Sequence, residues 1–400
     1  MREVFSHPAL EHGPIYLDYN GTTPVDPRVV EAMLPYLTIH FGNPSSTHFY
    51  AHVPHTAIET AREQVARLLS CTPAEIIFTA GGSESDALAI RGAALARQAY
   101  GKHLITQMTE HPAVLATCRQ LVRLHGFRVT SLPVDATGRV RPGDVEAAID
   151  DQTTLVSIMH ANNETGTLQP IAEIAEIAHR HGALMHTDAS QSVGKMAIDV
   201  AALGVDLLTV AGHKLYAPKG VGALFVRRGV QLEPVIAGGG QERGLRAGTE
   251  NIAAIVALGT ACEIAGRSVP QEQKRLAALR DVLHQRLAES LPALVSLNGH
   301  PTEHLPNTLN VSIEGVIGEK VLAATPEIAA ATGSACHAGS TLPSEVLLAM
   351  GVKRSRALGT LRLTLGRWST SEEVEQAALL LTQTVRTMLK TVSGEREEER

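Results

Sequence analysis

The sequence predicts an α/β protein: a large domain on a mostly parallel seven-stranded sheet, followed by a smaller C-terminal α+β domain. Three observations carry this reading. Short apolar runs alternate with helical periodicities between residues 73 and 226. After Gly238–Gly240 the alternation stops, and helices and strands fall into separate groups. The chain has 400 residues, 44% of them apolar and 19% charged, which is enough for two or three domains with cores of their own.

The expected strands are Ile76–Thr79, His103–Gln107, Arg128–Leu132, Thr154–Met159, Ala183–Thr187, Leu207–Val210 and Gly222–Val226. Between them, Ser83–Gln98, Ala113–Leu124 and Ile171–His181 repeat apolar residues at i, i+3 and i+4, the spacing of a one-faced helix. Strands separated by such helices imply crossover connections and parallel pairing. Two long helices are expected next, at Asn251–Ala265 and Gln271–Ser290. Strands at Val295–Leu297 and Thr308–Ile313, a helix near Ser344–Met350, a strand at Leu361–Leu365 and a last helix from Ser371 complete the second unit. The expected divisions are an N-terminal extension (1–14), a large domain (15–255), a small domain (256–390) and a charged tail (391–400) ending in EREEER.

Composition excludes several classes. With 35 Lys and Arg against 41 Asp and Glu the net charge is −6, unlike a nucleic-acid-coating protein. Aromatic residues make up 3%, too few for a base-stacking platform. The four cysteines, at 71, 118, 262 and 336, form neither a disulfide framework nor a C-x-x-C thiolate metal site. The N-terminal MREVFSHPALEHGP has no apolar signal segment, and no uninterrupted apolar run reaches membrane-spanning length. A soluble protein of a reducing, cytoplasmic compartment is expected, with neither nucleic acid nor membrane as partner.

Three loops carry candidate chemistry. Ala80-Gly81-Gly82-Ser83 lies between a strand and a helix, where glycines admit a close ligand and free N–H groups attract an anion. It reads either as a phosphate cradle or as a tight turn with Ser83 as an ordinary helix cap. Asp188, in His186-Thr187-Asp188-Ala189-Ser190-Gln191, falls at the carboxyl end of a strand, where open α/β sheets bind ligands; a helix cap is the alternative. Lys214, in Ala211-Gly212-His213-Lys214, also follows a strand. It is either a surface lysine or a desolvated amine able to form a Schiff base. Together a cradle, a strand-end Asp and a strand-end Lys are the contacts pyridoxal 5'-phosphate requires: phosphate, ring nitrogen and aldehyde.

At this point the chain resembles the cysteine desulfurases, fold-type I pyridoxal-phosphate enzymes of the class V aminotransferase group. The resemblance rests on ordered stretches from about residue 15 to 385. These are YLDYNGTTPVDP from Tyr16, GNPSSTH from Gly42, IIFTAGGSESDALAI from Ile76, TEHPAV from Thr109, HANNETG from His160, HTDASQSVGK from His186, GHKLYAPKGVGAL from Gly212, GGGQERGLRAGTEN from Gly238, GSACHAGS from Gly333 and LRLTLGR from Leu361. It implies that Lys214 is the Schiff-base lysine and α-proton base, and that Asp188 pairs with the pyridinium nitrogen. His111 stacks on the cofactor ring and serves as acid or base. Asn163 and Gln191 hydrogen-bond around its phenolic oxygen, and Asn163 also borders the substrate. Gly82, Ser83 and His213 hold the phosphate, and Thr249 reaches the phosphate of a neighbouring subunit in a homodimer. Arg362 grips the substrate carboxylate, a task suited to a planar guanidinium.

Cys336 is implied as the nucleophile that takes sulfur from L-cysteine as a persulfide, leaving L-alanine, before passing it to an acceptor protein of iron–sulfur cluster or thio-cofactor assembly. Its Gly- and Ser-rich surroundings suit a loop, whereas Cys71, Cys118 and Cys262 sit in or beside apolar periodic segments and read as core residues. The chain departs from the pattern at Ser83, where threonine is common, at Ala211, where serine often stands, and at Ala51, in place of a usual glycine. His337 directly after the cysteine is a variation shared with selenocysteine lyases. Selenocysteine lyase, another class V lyase or transaminase, and a non-catalytic sulfur-transfer scaffold are the alternatives. His48, His52 and His55 lie at helical spacing, but no carboxylate or cysteine joins them, so no metal site is expected and the GNPSS context reads as an active-site loop.

Overall fold

The structure, a computed structural model, describes residues 6–333 and 342–398. The chain enters through β1 (Ile15–Tyr16), then the helices α1 (Pro27–Met33), α2 (Pro35–Thr38) and α3 (Phe49–Leu69). Strands and helices then alternate: β2 (Ile76–Thr79), α4 (Gly82–Ala96), β3 (His103–Gln107), α5 (Pro112–His125), β4 (Arg128–Leu132), α6 (Pro142–Ala148), β5 (Thr153–Ser157), α7 (Ile171–Arg180), β6 (Leu184–Asp188), α8 (Val200–Leu203), β7 (Leu207–Ala211) and β8 (Gly222–Val226). The seven-stranded sheet runs β2-β8-β7-β6-β5-β3-β4. It is parallel from β7 to β4, and β8 is antiparallel to both of its neighbours.

The period-two geometry of a strand sends successive side chains to opposite faces. Ile76, Phe78, Ile105, Val156, Leu208, Val210 and Phe225 join one buried core together with residues of α3, α7 and the start of α9 (Ile252–Ser290). Ile77, Leu104, Leu155, Leu207 and Leu224 join the other, under α4 and α5. Both faces being covered, β2, β3, β5, β7 and β8 are buried along their whole length rather than at alternate residues.

The second unit is the antiparallel sheet β12-β10-β9, made of β9 (Val295–Leu297), β10 (Thr308–Ile313) and β12 (Thr360–Thr364). It packs with α9 and α13 (Ser371–Glu398), while α10 (Gly318–Ala323), β11 (Ile328–Ala329), α11 (Glu345–Ala349) and α12 (Arg354–Leu358) fill its connections. β1 pairs in parallel with β11, and Leu17 is fully buried in this second core. The start of the chain therefore packs with the small unit before it enters the large one. α9 likewise crosses the expected 255/256 division: Ala257 and Leu258 belong to the first core, and Leu276 and Leu283 to the second.

Two expectations need correction. The separate helices at 251–265 and 271–290 are one helix of 39 residues that runs through Pro270. Proline removes one N–H, at the Gly266 carbonyl, which ordinarily breaks an isolated helix, but packing against both cores holds the two turns in line. An 18-residue window of this helix is apolar enough to cross a membrane, yet most of it is buried inside the protein, as expected of a core helix. The 21-residue α3 was not expected as an element; Pro54 and a weak apolar stripe conceal it.

Candidate active site

A cavity of about 280 Å³ opens at the carboxyl ends of β6 and β7, against the start of α4. Gly82, Ser83, His111, Asn163, Asp188, Gln191, His213, Lys214 and Arg362 all line it. Residues spread over 280 positions of sequence thus converge because parallel strands place their following loops on one edge of the sheet.

Lys214 ends a short turn, Gly212–Lys214, directly after β7. Its Nζ donates to the Asn20 carbonyl at 2.5 Å and the Gly21 carbonyl at 2.7 Å, so the amine is aimed inward and the surface-lysine alternative fails. Asp188 terminates β6, is 6% exposed, and its Oδ1 accepts from the Ser190 N–H at 2.9 Å. It therefore orders the next turn and faces the cavity as well. His111 caps α5, with Nδ1 accepting from the Ala113 N–H at 3.2 Å. Burial lowers its proton affinity; the Asp188 charge opposes that shift and Lys214 adds to it. A neutral imidazole agrees with Nδ1 acting as an acceptor.

The anion end is built from α4. This helix begins at Gly82, its N-cap is Gly81 with φ +149°, and no side chain caps it. Ser83 is therefore not the cap, and the first N–H groups are left for a ligand. A Cβ on Gly82 would meet Ser190 Oγ at 3.1 Å and Ala211 Cβ at 3.2 Å, so the cradle is closely walled and Ser190 brings a hydroxyl beside the alanine at 211. His213 bonds Thr22 Oγ1 at 3.1 Å, and burial first, then the charge of Lys214, pushes its pKa down to about 4.

The substrate end comes from the small unit. Arg362 lies on β12, is 1% exposed, and reaches the cavity with NH2 donating to Asp18 Oδ1 at 2.6 Å and NH1 to the Asn163 carbonyl at 3.2 Å. Among the described residues its Nε has no partner. Gln191 donates from Nε2 to the Asn20 carbonyl at 3.0 Å.

Two carboxyls behind this wall went unassigned in the sequence. Asp86, on α4, is buried and borders the cavity, and among the described residues its Oδ1 has no hydrogen-bond partner, lying 3.8 Å from His186 Nε2. Burial and the nearby Asp188 hold its proton well above the carboxylate range. Glu110 accepts from the Met159 N–H at 2.6 Å, and burial pushes its pKa up to about 8. Asn20 and Lys195 were also missed. All four stand inside the motifs that carry the family resemblance, but none has a local pattern of its own that marks it as a buried site residue.

Some expected residues are not brought to the cavity. Thr249 lies exposed on the coil before α9, away from the lining of its own chain's site. Residues 42–46, expected as an active-site loop, do not line it either; His48 precedes α3, and His52 and His55 are exposed on it. Among the described residues no group of three or more His, Cys, Asp or Glu is placed to hold a metal ion. Cys336 lies outside the described residues. Cys118 and Cys262 are buried, Cys71 is half-buried, and burial pushes all three thiols up to about 12, the environment of inert structural cysteines.

An inward amine, a buried carboxylate facing the same space and an uncapped helix N-terminus fit pyridoxal phosphate at its aldehyde, ring nitrogen and phosphate in turn. The comparisons agree. Residues 15–377 match the aminotransferase class-V family. The chain is 48% identical over 376 residues to the cysteine desulfurase IscS of Anaeromyxobacter dehalogenans, covering 93% of each protein. It is 46% identical over 365 residues to the human cysteine desulfurase, covering 90% of this chain and 79% of that one. Among solved structures, a NifS-like protein superposes with a TM-score of 0.87 at 35% identity, covering 94% of this chain and 100% of the other. A structure described as SspA in complex with cysteine does so with a TM-score of 0.78 at 40% identity, covering 89% of this chain and 99% of the other. The chain belongs to the aminotransferase class-V family and, within it, to the cysteine desulfurases.

Proposed function

We propose that this protein removes sulfur from L-cysteine with the help of pyridoxal phosphate, leaving L-alanine and a persulfide on Cys336 that passes to an acceptor protein. The observation that carries the reading is the inward Lys214 amine sharing one cavity with the buried Asp188 carboxylate and the uncapped start of α4.

When bound, the cofactor supplies an electron sink for the charge left when the α-proton departs. The residues of the chain do the rest. Gly82 and Ser83, with His213, hold the phosphate at the helix N-terminus. Asp188 would keep the ring nitrogen protonated, and the imidazole of His111 would cover the ring. Arg362 takes the substrate carboxylate. The Lys214 amine would hold the cofactor by its aldehyde, and it is placed to take the substrate α-proton onto Nζ. The Cys336 thiolate then attacks the sulfur of cysteine. The S–S bond forms as the C–S bond breaks, and the carbon framework keeps the electron pair and is protonated to alanine.

A homodimer is part of the proposal. Leu37, Ile39, Phe41 and Phe49 are 62%, 66%, 73% and 80% exposed on the α1–α3 face. An apolar patch of this kind is the usual mark of a partner surface. A second subunit placed there accounts for Thr249, exposed and outside its own cavity. A thiol nucleophile also needs the reducing compartment expected of the cytoplasm.

The test is mass spectrometry of the cofactor-loaded protein after cysteine addition, with alanine measured in parallel. One added sulfur on Cys336, absent from Cys336→Ala, is expected. A Cys336→Ala protein that keeps full turnover while Lys214→Ala loses it would remove the persulfide from the scheme.

A further inference from the structure

Lys195 lies in the segment between β6 and α8 and is 8% exposed. Its Nζ donates to Asn20 Oδ1 and to Gln191 Oε1, both at 2.8 Å. Among the described residues no carboxylate forms a salt bridge with it. The charged groups that face it are cations: Lys214 from the turn after β7 and Arg362 from β12, the latter already paired with Asp18. His213, in the same turn as Lys214, is a further titratable group on this side of the cavity.

A buried ammonium without a counter-ion is costly, and here two further cations oppose it. A neutral amine has two N–H donors, and both are used. Burial, with the charges of Lys214 and Arg362, accordingly holds its proton affinity well below the ordinary lysine value.

The two acceptors are the informative part. Gln191 presents Oε1 to Lys195 and spends one Nε2 hydrogen on the Asn20 carbonyl at 3.0 Å. That fixes which way round the carboxamide sits and leaves its second N–H for the cavity it lines. Asn20 is gripped from the other side. Its Oδ1 takes bonds from Lys195 and from Asn307 Nδ2 at 3.1 Å, while its carbonyl accepts from the Lys214 amine.

We propose that Lys195 is a positioning residue for the desulfurase reaction, a double donor that locks the Gln191 carboxamide with its N–H toward the cavity and fixes the Asn20 carbonyl against Lys214. The proposal rests on the pyridoxal-phosphate reading of that cavity.

Its test is the pH midpoint of the visible absorption band of the cofactor-loaded full chain. Wild type is compared with Lys195→Met, which removes both donors, and Lys195→Arg, which adds a permanent charge. Losing the lock takes a donor away from the phenolic side of the cofactor and raises the proton affinity of the nitrogen on Lys214, so the Met variant moves the midpoint up by about one unit. The Arg charge moves it down by about as much. In the Met variant kcat also falls about tenfold, with KM changed less. Shifts of opposite sign are what a merely structural role does not produce. A folded Met or Arg variant with an unmoved midpoint, or both moving the same way, overturns the proposal. So does failure of both to fold, which assigns Lys195 to stability alone. A wild-type chain that takes up no pyridoxal phosphate and shows no band overturns the cofactor reading itself. A normal wild-type band with unmoved variants overturns Lys195 alone.

Discussion

The two ends of the cavity are held in different ways. On the sheet side, Lys214, Gln191 and Asp188 are fixed by backbone carbonyls, a backbone N–H and a neighbouring amine. On the side of the small unit, Arg362 is held by an ion pair whose acid, Asp18, has a partly exposed side chain. The contrast follows the work of each end on the proposed reading. A resident cofactor needs partners that never let go, and main-chain groups and amides supply them without charge. A substrate carboxylate must arrive and leave at every turnover. Arg362 meanwhile rests on a carboxylate of the same chemistry, so binding is an exchange of like for like rather than the burial of a bare charge.

Breaking the fixed end has the largest expected effect. Lys214→Ala removes the amine that anchors the cofactor and takes the α-proton, so alanine formation from cysteine falls by about 10³-fold or more. The visible band of the cofactor-bound lysine disappears with it. Retention of more than about a tenth of wild-type turnover would deny Lys214 the role of base. The exchangeable end is expected to yield a different signature. Arg362→Lys keeps the charge but loses the two-pronged geometry, and KM for cysteine rises about 10- to 100-fold while kcat changes less. An equal loss in kcat and kcat/KM would place the arginine in the transition state instead of in ground-state binding.

The same division separates what could be read in the sequence from what could not. Lys214, Asp188 and His111 each sit at the start or end of an element with its own apolar pattern, so local sequence places them at one edge of the sheet. Their function followed from the types of group gathered there. Asn20 and Lys195 have no such local signal. Asn20 lies ahead of the alternating pattern, and its partners are 143 to 344 residues away in sequence. A lysine inside HTDASQSVGK reads as a solvated side chain until the fold buries it. Pro270 misled in the opposite direction, because the local cost of a proline is overridden by packing on two cores that no window of sequence contains. α3 was hidden for a related reason: four of its nine buried residues are alanines, with Pro54 and Arg62 also among them, and these contribute little to an apolar stripe.

The smallest effect on turnover, and the sharpest probe of how the fixed end avoids charge, belongs to Glu110. This carboxyl stands behind Met159 and does not line the cavity. Burial first, reinforced by the Asp188 charge, pushes its folded pKa to about 8 from an ordinary value of 4.5. Between those values the folded chain keeps a proton that the unfolded chain has released. Stability therefore falls as pH rises through that window, and the loss is complete above about 8. Glu110→Gln keeps an oxygen for the Met159 N–H but cannot ionise. Thermal melting from pH 5 to 9 should show the variant gaining on wild type as pH rises, by on the order of 4 kcal/mol in all, with turnover near wild type throughout. Parallel melting curves would mean that Glu110 is ionised in the folded protein. The wall would then carry a buried charge at Glu110, and the comparison between a charge-poor fixed end and an ion-paired exchangeable end would lose its basis. A gap that widens with pH instead shows Glu110 protonated in the folded chain, so the acid behind Met159 adds no second negative charge to this wall. One acid can then hold a proton on the ring nitrogen without two like charges competing for it.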